Sequence, residues 1–339
     1  MTTQLDCSIG AKKETAYGTP VVVDRFLEFT EESLDFERTF VQGEGLRPGS
    51  RVARSGRRVL TRDGAVGDIG LEVPTRGLGF MFEAMLGVGA SAEVETDLYQ
   101  QLFTLTKTDY QPSLTIQKGI PRLGADTIDA YTVHGAVCSA FEISMGSSEI
   151  LTLSSSWTGR EIVTDVEYAT PSYPATELFS FVHADLVVGG SVTVPTSTAL
   201  ASGGTAVANV RDFSISVDQG HDGEGYNIGG AGKRSRRPAV GLASVSGSLT
   251  AEYDSTTFRD AVENQTSMAL VATFEGPTDI TSGNPPVLQV VIPDIRFEGE
   301  LPKANGGDVI TQSLEFTGFD GLVAAHALYI AVRTADSAL

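Results

Sequence analysis

The chain predicts a mainly β fold, organised as two tandem units that each carry one short helix, and three observations lead there. Apolar and polar residues alternate with period two in several runs. Between those runs fall 37 glycines and 14 prolines among 339 residues. One order of elements also occurs twice along the chain. Alternation marks a strand with one buried and one wetted face, and Gly/Pro-rich spacers are turn chemistry rather than helix interior.

The strands read as follows. Phe141, Ile143 and Met145 alternate with Glu142 and Ser144, and Phe213, Ile215 and Val217 alternate with Asp212, Ser214, Ser216 and Asp218. In residues 245–253, Leu249, Ala251 and Tyr253 oppose Ser248, Thr250 and Glu252, and Ile295, Phe297 and Leu301 repeat the pattern. Antiparallel sheet with one polar face is expected. Helical spacing marks Thr75 to Leu86, through Leu78, Met81, Phe82 and Met85, and Ser255 to Asn264, through Phe258, Ala261 and Val262. Each opens with Thr or Ser, residues an N-cap prefers.

Both helices follow a strand of matching pattern, Gly67-Asp-Ile-Gly-Leu-Glu72 and Gly247-Ser-Leu-Thr-Ala-Glu252. Downstream, Phe141-Glu142 leads through a polar turn to Trp157-Thr158-Gly159, and Phe297-Glu298 leads through Asn305-Gly306-Gly307 to Phe316-Thr317-Gly318. Upstream of each lies a long loop rich in glycine and arginine, residues 42–65 and 219–238. The units are therefore expected at residues 1–164 and 178–339, with a Pro/Ser/Thr/Gly-rich connector at 165–177 and a strand at Leu178 to Val188 opening the second unit.

Composition narrows the function. With 41% hydrophobic and 20% charged residues the chain is expected to fold, and its formal charge of −19 repels a polyphosphate at long range. Cys7 and Cys138 form no CxxC pair and predict free thiols in a reducing cytosol. The start lacks the apolar stretch of a secretory signal and no apolar run reaches a membrane span, so synthesis in the cytoplasm without a membrane partner is expected. The chain shows no nucleophile elbow, P-loop, HExxH, EF-hand or dinucleotide fingerprint. No catalytic residue, cofactor or metal is assigned, and the protein is expected not to be an enzyme. His134, His183, His221 and His326 are scattered; His221-Asp-Gly-Glu-Gly225 has too few carboxylates for a calcium loop and reads as a solvated one.

Charge placement is more informative. Arg47, Arg51, Arg54, Arg57, Arg58 and Arg62 fall in the first long loop, and Lys233, Arg234, Arg236 and Arg237 in the second, ten of the 24 basic residues. Positive arms on an acidic protein suit contacts with acidic patches of neighbouring copies.

The N-terminal run Ile9-Gly10-Ala-Lys-Lys-Glu14-Thr15-Ala-Tyr17-Gly18-Thr19-Pro20, followed by Arg25-Phe26-Leu-Glu28-Phe29-Thr, resembles the opening of tail tube proteins of long-tailed phages that infect actinobacteria. Gly43-Glu-Gly-Leu-Arg47-Pro-Gly49 and Leu71-Glu-Val-Pro-Thr75-Arg-Gly-Leu-Gly79 continue the resemblance, which is clearest over residues 9–90. It implies a β-sandwich or split-barrel unit whose sheet joins those of neighbouring copies in a continuous barrel. Such tubes are six-fold, so two units per chain imply a trimeric ring with pseudo-six-fold symmetry, stacked into the channel for DNA ejection. The basic loops would make the ring-to-ring contacts, and a lumen lined by hydroxyls and carboxylates would let double-stranded DNA pass without gripping it. Tape-measure, tail terminator and distal tail proteins are the implied partners, and the virion the implied location. The competing reading from the residues is a β-sandwich adhesin or carbohydrate-binding module.

Overall fold

The computed structural model describes residues 4–124, 127–207, 209–302, 306–307 and 309–339. The first half runs β1 (Ser8–Lys13), β2 (Arg25–Leu27), β3 (Phe29–Glu32), β4 (Asp35–Gln42), β5 (Arg58–Glu72), α1 (Gly79–Leu86), β6 (Gly87–Glu95), β7 (Leu98–Leu105), β8 (Leu114–Pro121), β9 (Ile128–Met145), β10 (Thr152–Gly159) and β11 (Glu161–Val163). The second runs β12 (Ala184–Val188), β13 (Val192–Thr193), β14 (Ser202–Gly203), β15 (Val210–Asp218), β16 (Ser244–Glu252), α2 (Thr257–Asn264), β17 (Met268–Glu275), β18 (Val287–Gly299), β19 (Thr311–Gly318) and β20 (Tyr329–Thr334). Mainly β with two helices is the fold that the alternation predicts.

One antiparallel row spans both halves. β3 and β4 share one edge of β5, whose other edge takes β10; β10 pairs with β9, and β9 with β15. The row continues β15–β16–β19–β18. Its inner face carries Ile69, Leu153, Ile143, Ile215, Leu249 and Leu314, all buried, and its outer face is polar. β9 and β18 are long enough to leave the row: their N-terminal stretches pair with β8 and β17 in a second layer, which also takes β1 and β12. The β6–β7 hairpin joins that layer through β20. The main hydrophobic cluster draws on both halves, from Ile9 and Trp157 to Phe274 and Phe316. Among the described residues the row does not close on itself.

Several expectations shift. α1 begins at Gly79 rather than Thr75, because residues 75–77 form a bend that is tied down from both sides. Thr75 N donates to Glu177 O at 2.8 Å, and the Asp336 carboxylate takes Gly77 N at 2.8 Å and the Arg76 guanidinium at 2.7 Å. α2 begins at Thr257 rather than Ser255. Neither helix has a side-chain cap: Leu78 occupies one N-cap position, and at the other Thr256 Oγ1 bonds Asp260 rather than a backbone amide. Tyr253 lies one residue past the end of β16.

The strand expected at Leu178 to Val188 is shorter, Ala184–Val188. Its first part is drawn between the ends of β5 and β10, with Phe179 N donating to Val73 O and Leu151 N to Phe179 O. Leu301 lies beyond the end of β18 and is 70% exposed, so it does not share the burial of Ile295 and Phe297. The first long loop is in large part a β4–β5 hairpin, which puts Arg58 and Arg62 on a strand and leaves residues 43–57 as the connection. Of the Asn305-Gly306-Gly307 turn, Asn305 lies outside the described residues.

Candidate assembly surfaces

Strand pairing fixes what the outer face of the row presents. Asp68, Ser156, Glu142, Ser216, Ser248 and Glu315 point to one side because their neighbours along each strand, Ile69, Ser155, Ile143, Ile215, Leu249 and Leu314, point to the other. Hydroxyls link across strands, Ser144 to Thr152 and Ser214 to Ser248 at 3.0 Å each, and Ser156 Oγ donates to Asp68 at 2.6 Å. Arg296 shares this face in β18, and Arg211 is drawn to Glu252 at 2.7 Å. Glu298 stands directly across from Glu315. Carboxylates and hydroxyls dominate, so the face carries negative charge.

Two glycines of this row sit where a neighbour approaches too closely for a side chain. Gly67 lies opposite Trp157 and Gly247 opposite Phe316. A Cβ on Gly247 would stand 2.1 Å from Ser214 O and 2.3 Å from the Phe316 ring, and one on Gly67 would stand 2.5 Å from Leu34 Cα. Neither position holds a larger residue without moving backbone.

The ten basic residues singled out in sequence divide into two groups. The β4–β5 hairpin projects from the row with Arg47, Arg51, Arg57 and Arg58 exposed and Arg54 half-buried, beside fully exposed Leu46 and 81% exposed Val52. Arg57 Nη1 donates to Gly45 O at 2.6 Å, bracing the tip, and Arg58 lies 4.7 Å from the Phe40 ring centre. At the base, Arg62 stacks 3.9 Å over Tyr226, and Asp63 N donates to Gly232 O at 2.8 Å.

Residues 219–238, by contrast, fold back on the chain. Lys233 pairs with Glu161 and Arg236 with Asp222. Arg237 Nη1 donates to Gln111 O at 2.6 Å. Arg234 is 4% exposed; it donates to Glu224 O at 2.5 Å and lies 4.8 Å from the Tyr226 ring centre. The hydrogen bond from Arg236 and that from Glu224 N hold the Asp222 carboxyl below the usual carboxylate range. Burial lowers His221, whose Nε2 lies 2.6 Å from Gln111 Oε1. His134 is likewise lowered by burial, against an opposing pull from Glu161 and Glu14. Among the described residues no group of three His, Cys, Asp or Glu side chains is placed to hold a metal ion.

One anchor was not legible in sequence. Glu14, 6% exposed, accepts from Ser113 Oγ at 2.7 Å, Thr115 Oγ1 at 3.1 Å, and Gly18 N and Gly135 N at 2.8 Å each. It ties the N-terminal run to β8 and β9, and burial pushes the nearby Tyr17 phenol up to about 12. An acidic residue before Thr-Ala-Tyr carries no periodic signal that would set it apart from a solvated one.

Among the described residues the row has two open borders, and these, a polar face of carboxylates and hydroxyls and a projecting hairpin define a β-rich structural subunit. The family model described as phage tail tube protein matches residues 4–318, nearly the whole chain, and the chain belongs to that family. It is a structural protein of the phage tail tube, and its place is the virion. No curated protein matches the chain. Among the described residues no helix is long and apolar enough to cross a membrane.

Proposed function

We propose that this chain is the major tail tube subunit of a long-tailed phage, and that three copies form a ring of pseudo-six-fold symmetry, stacked into the channel through which DNA is ejected. One observation carries this reading: the order β3/β4–β5–β10–β9 in the first half matches β15–β16–β19–β18 in the second, and the two blocks sit edge to edge in one sheet. The glycine-opposite-aromatic pairs fall at matching places, and α1 and α2 each follow the second strand of a block. Two tandem units, residues 1–164 and 178–339 around a connector at 165–177, fit this order, with the β6–β7 hairpin as an insertion in the first.

A block that pairs with its sequel inside one chain is built to pair with another copy at its outer borders. Open borders are an aggregation hazard in a monomer and a means of closure in a ring. Three chains would then give a barrel whose lining is the polar face of the row, and its carboxylates give DNA phosphates little to grip. The β4–β5 hairpin is the arm suited to the next ring, through Arg47, Arg51, Arg54, Arg57, Arg58 and Arg62 beside exposed Leu46 and Val52. Because Lys233, Arg234, Arg236 and Arg237 are engaged within the chain, their contribution to such a contact is to hold the arm's base.

Tape-measure protein inside the tube and terminator and distal tail proteins at its ends are the partners this reading calls for, with synthesis in the host cytoplasm. Purified protein viewed by negative-stain electron microscopy tests it. Hollow filaments are expected; particles that stay single at millimolar concentration would contradict it.

A further inference from the structure

We propose that the seam between neighbouring copies repeats the register of the internal β9–β15 junction, and that this seam, unlike the junction, is weakened by facing carboxylates. The inference rests on the ring reading above and specifies which residues meet.

Inside the chain, Ile215 faces Ile143, Ser216 faces Glu142, Val217 faces Phe141 and Asp218 faces Ala140. The same positions are identifiable at the two open borders from their inner partners. Val217 faces Val245, two residues before Gly247, and Phe36 faces Ala65, two residues before Gly67. Phe36 therefore stands where Val217 stands. Phe141 faces Ser155, two residues before Trp157, and Gly299 faces Leu314, two residues before Phe316. Gly299 therefore stands where Phe141 stands. In sequence alone Phe297 aligned with Phe141; the pairing moves the correspondence by two residues. Among the described residues, neither β4 nor residues 296–299 of β18 has a strand on the outer edge.

Carrying the junction across sets Leu34 of one copy opposite Leu301 of the next, Asp35 opposite Glu300, Phe36 opposite Gly299 and Glu37 opposite Glu298. A separate observation agrees with this register. Leu301, 70% exposed in the single chain, takes the position of Ile143, which is fully buried at the junction. A seam in this register covers the leucine.

The charges differ between the two places. The junction sets Ser216 against Glu142 and Asp218 against Ala140, with no pair of like charges directly opposed. The seam sets Glu37 against Glu298 where the junction has Asp218 against Ala140, and directly opposed like charges weaken strand pairing. The chain thus holds its own two blocks together more firmly than it holds a neighbour. Such a difference keeps newly made subunits apart until a nucleus or high concentration drives the ring to close.

Disulfide trapping tests the register. In a Cys7→Ser background, Asp35→Cys with Glu300→Cys is expected to link chains covalently on mild oxidation of assembled tubes, giving a ladder that ends at the closed ring. Asp35→Cys with Glu298→Cys, shifted by two, is expected not to. Ser216→Cys with Glu142→Cys, which should close within one chain, shows that the geometry admits the bond. Tubes that form while the shifted pair links, or while neither pair links, would overturn the register and leave the ring reading standing. Wild-type protein that forms no tubes would overturn the ring reading itself.

A second variant needs no new bond. Glu298→Ala copies the Asp218–Ala140 chemistry of the junction onto the seam, and is expected to lower the concentration needed for assembly by roughly two- to fivefold. An unchanged or higher threshold would overturn the charge account.

Discussion

Ile143 of β9 lies directly opposite Ile215 of β15, and both are fully buried. That contact joins two stretches of chain more than seventy residues apart in sequence, and the hydrophobic cluster runs without a break across it.

Ile215→Ala is expected to destabilise the whole protein by about 2–5 kcal/mol, because the site is too tightly walled to collapse around the missing methyls. Urea unfolding followed by fluorescence of Trp157 and by far-ultraviolet circular dichroism should give one coincident transition that moves to lower urea. Two separate transitions, with only the second half affected, would show that the halves unfold independently.

Gly247→Ala should cost about 1–3 kcal/mol, since the new methyl meets Ser214 O and the Phe316 ring together. Phe316→Leu in the same chain relieves one of the two clashes. The pair should therefore be less destabilising than the sum of the single changes, as a double-mutant cycle by denaturation would reveal.

Tyr17 makes stability depend on pH at the alkaline end. Its folded phenol titrates at about 12 because burial opposes the phenolate, whereas an unfolded tyrosine titrates near 10. The folded state holds the proton more tightly, so this contribution is complete below about pH 10 and is lost as the pH rises toward 12. Tyr17→Phe should flatten that decline in a series of melts between pH 9 and pH 12.

The outer face of the row should not hold duplex DNA at physiological salt. Replacing Glu142 and Glu315 with arginine is expected to create binding that weakens with salt, by a log–log slope of about −0.9 for each phosphate neutralised. Fluorescence anisotropy with a labelled duplex measures both. Binding by the unaltered protein that falls away with salt would remove the charge argument for free passage.

Deleting residues 44–56 should leave the sheet intact and prevent stacking, so that rings form without extended tubes. Arg62→Ala is the milder version. It removes a cation–π contact worth about 0.5–2 kcal/mol and should speed hydrogen exchange in the arm without changing the melting temperature appreciably.

Much of the row was legible in sequence because its strands are half-buried: Phe141 to Met145 and Phe213 to Val217 alternate cleanly, and the structure buries the expected members of each. The second layer was not. β7 buries Gln100 and Gln101 in full contact with the chain, their amides donating to Thr196 O and Ala199 O and to Asp336 O and Ala338 O. Polar residues satisfied by remote backbone break the alternation that marks a strand. The start of α1 was misplaced for a related reason, since Thr75 looks like a cap but its amide is bonded to Glu177 O in a bend before the helix. The basic residues fall in two loops of the sequence, and composition could not separate a projecting hairpin from a segment whose arginines are spent on Glu224, Asp222 and Gln111.

The copy number of one ring tests the central claim most directly. Native mass spectrometry of the smallest closed assembly, with class averages viewed down its axis, should give three chains of 35.8 kDa and six similar lobes. A ring of six chains would contradict it.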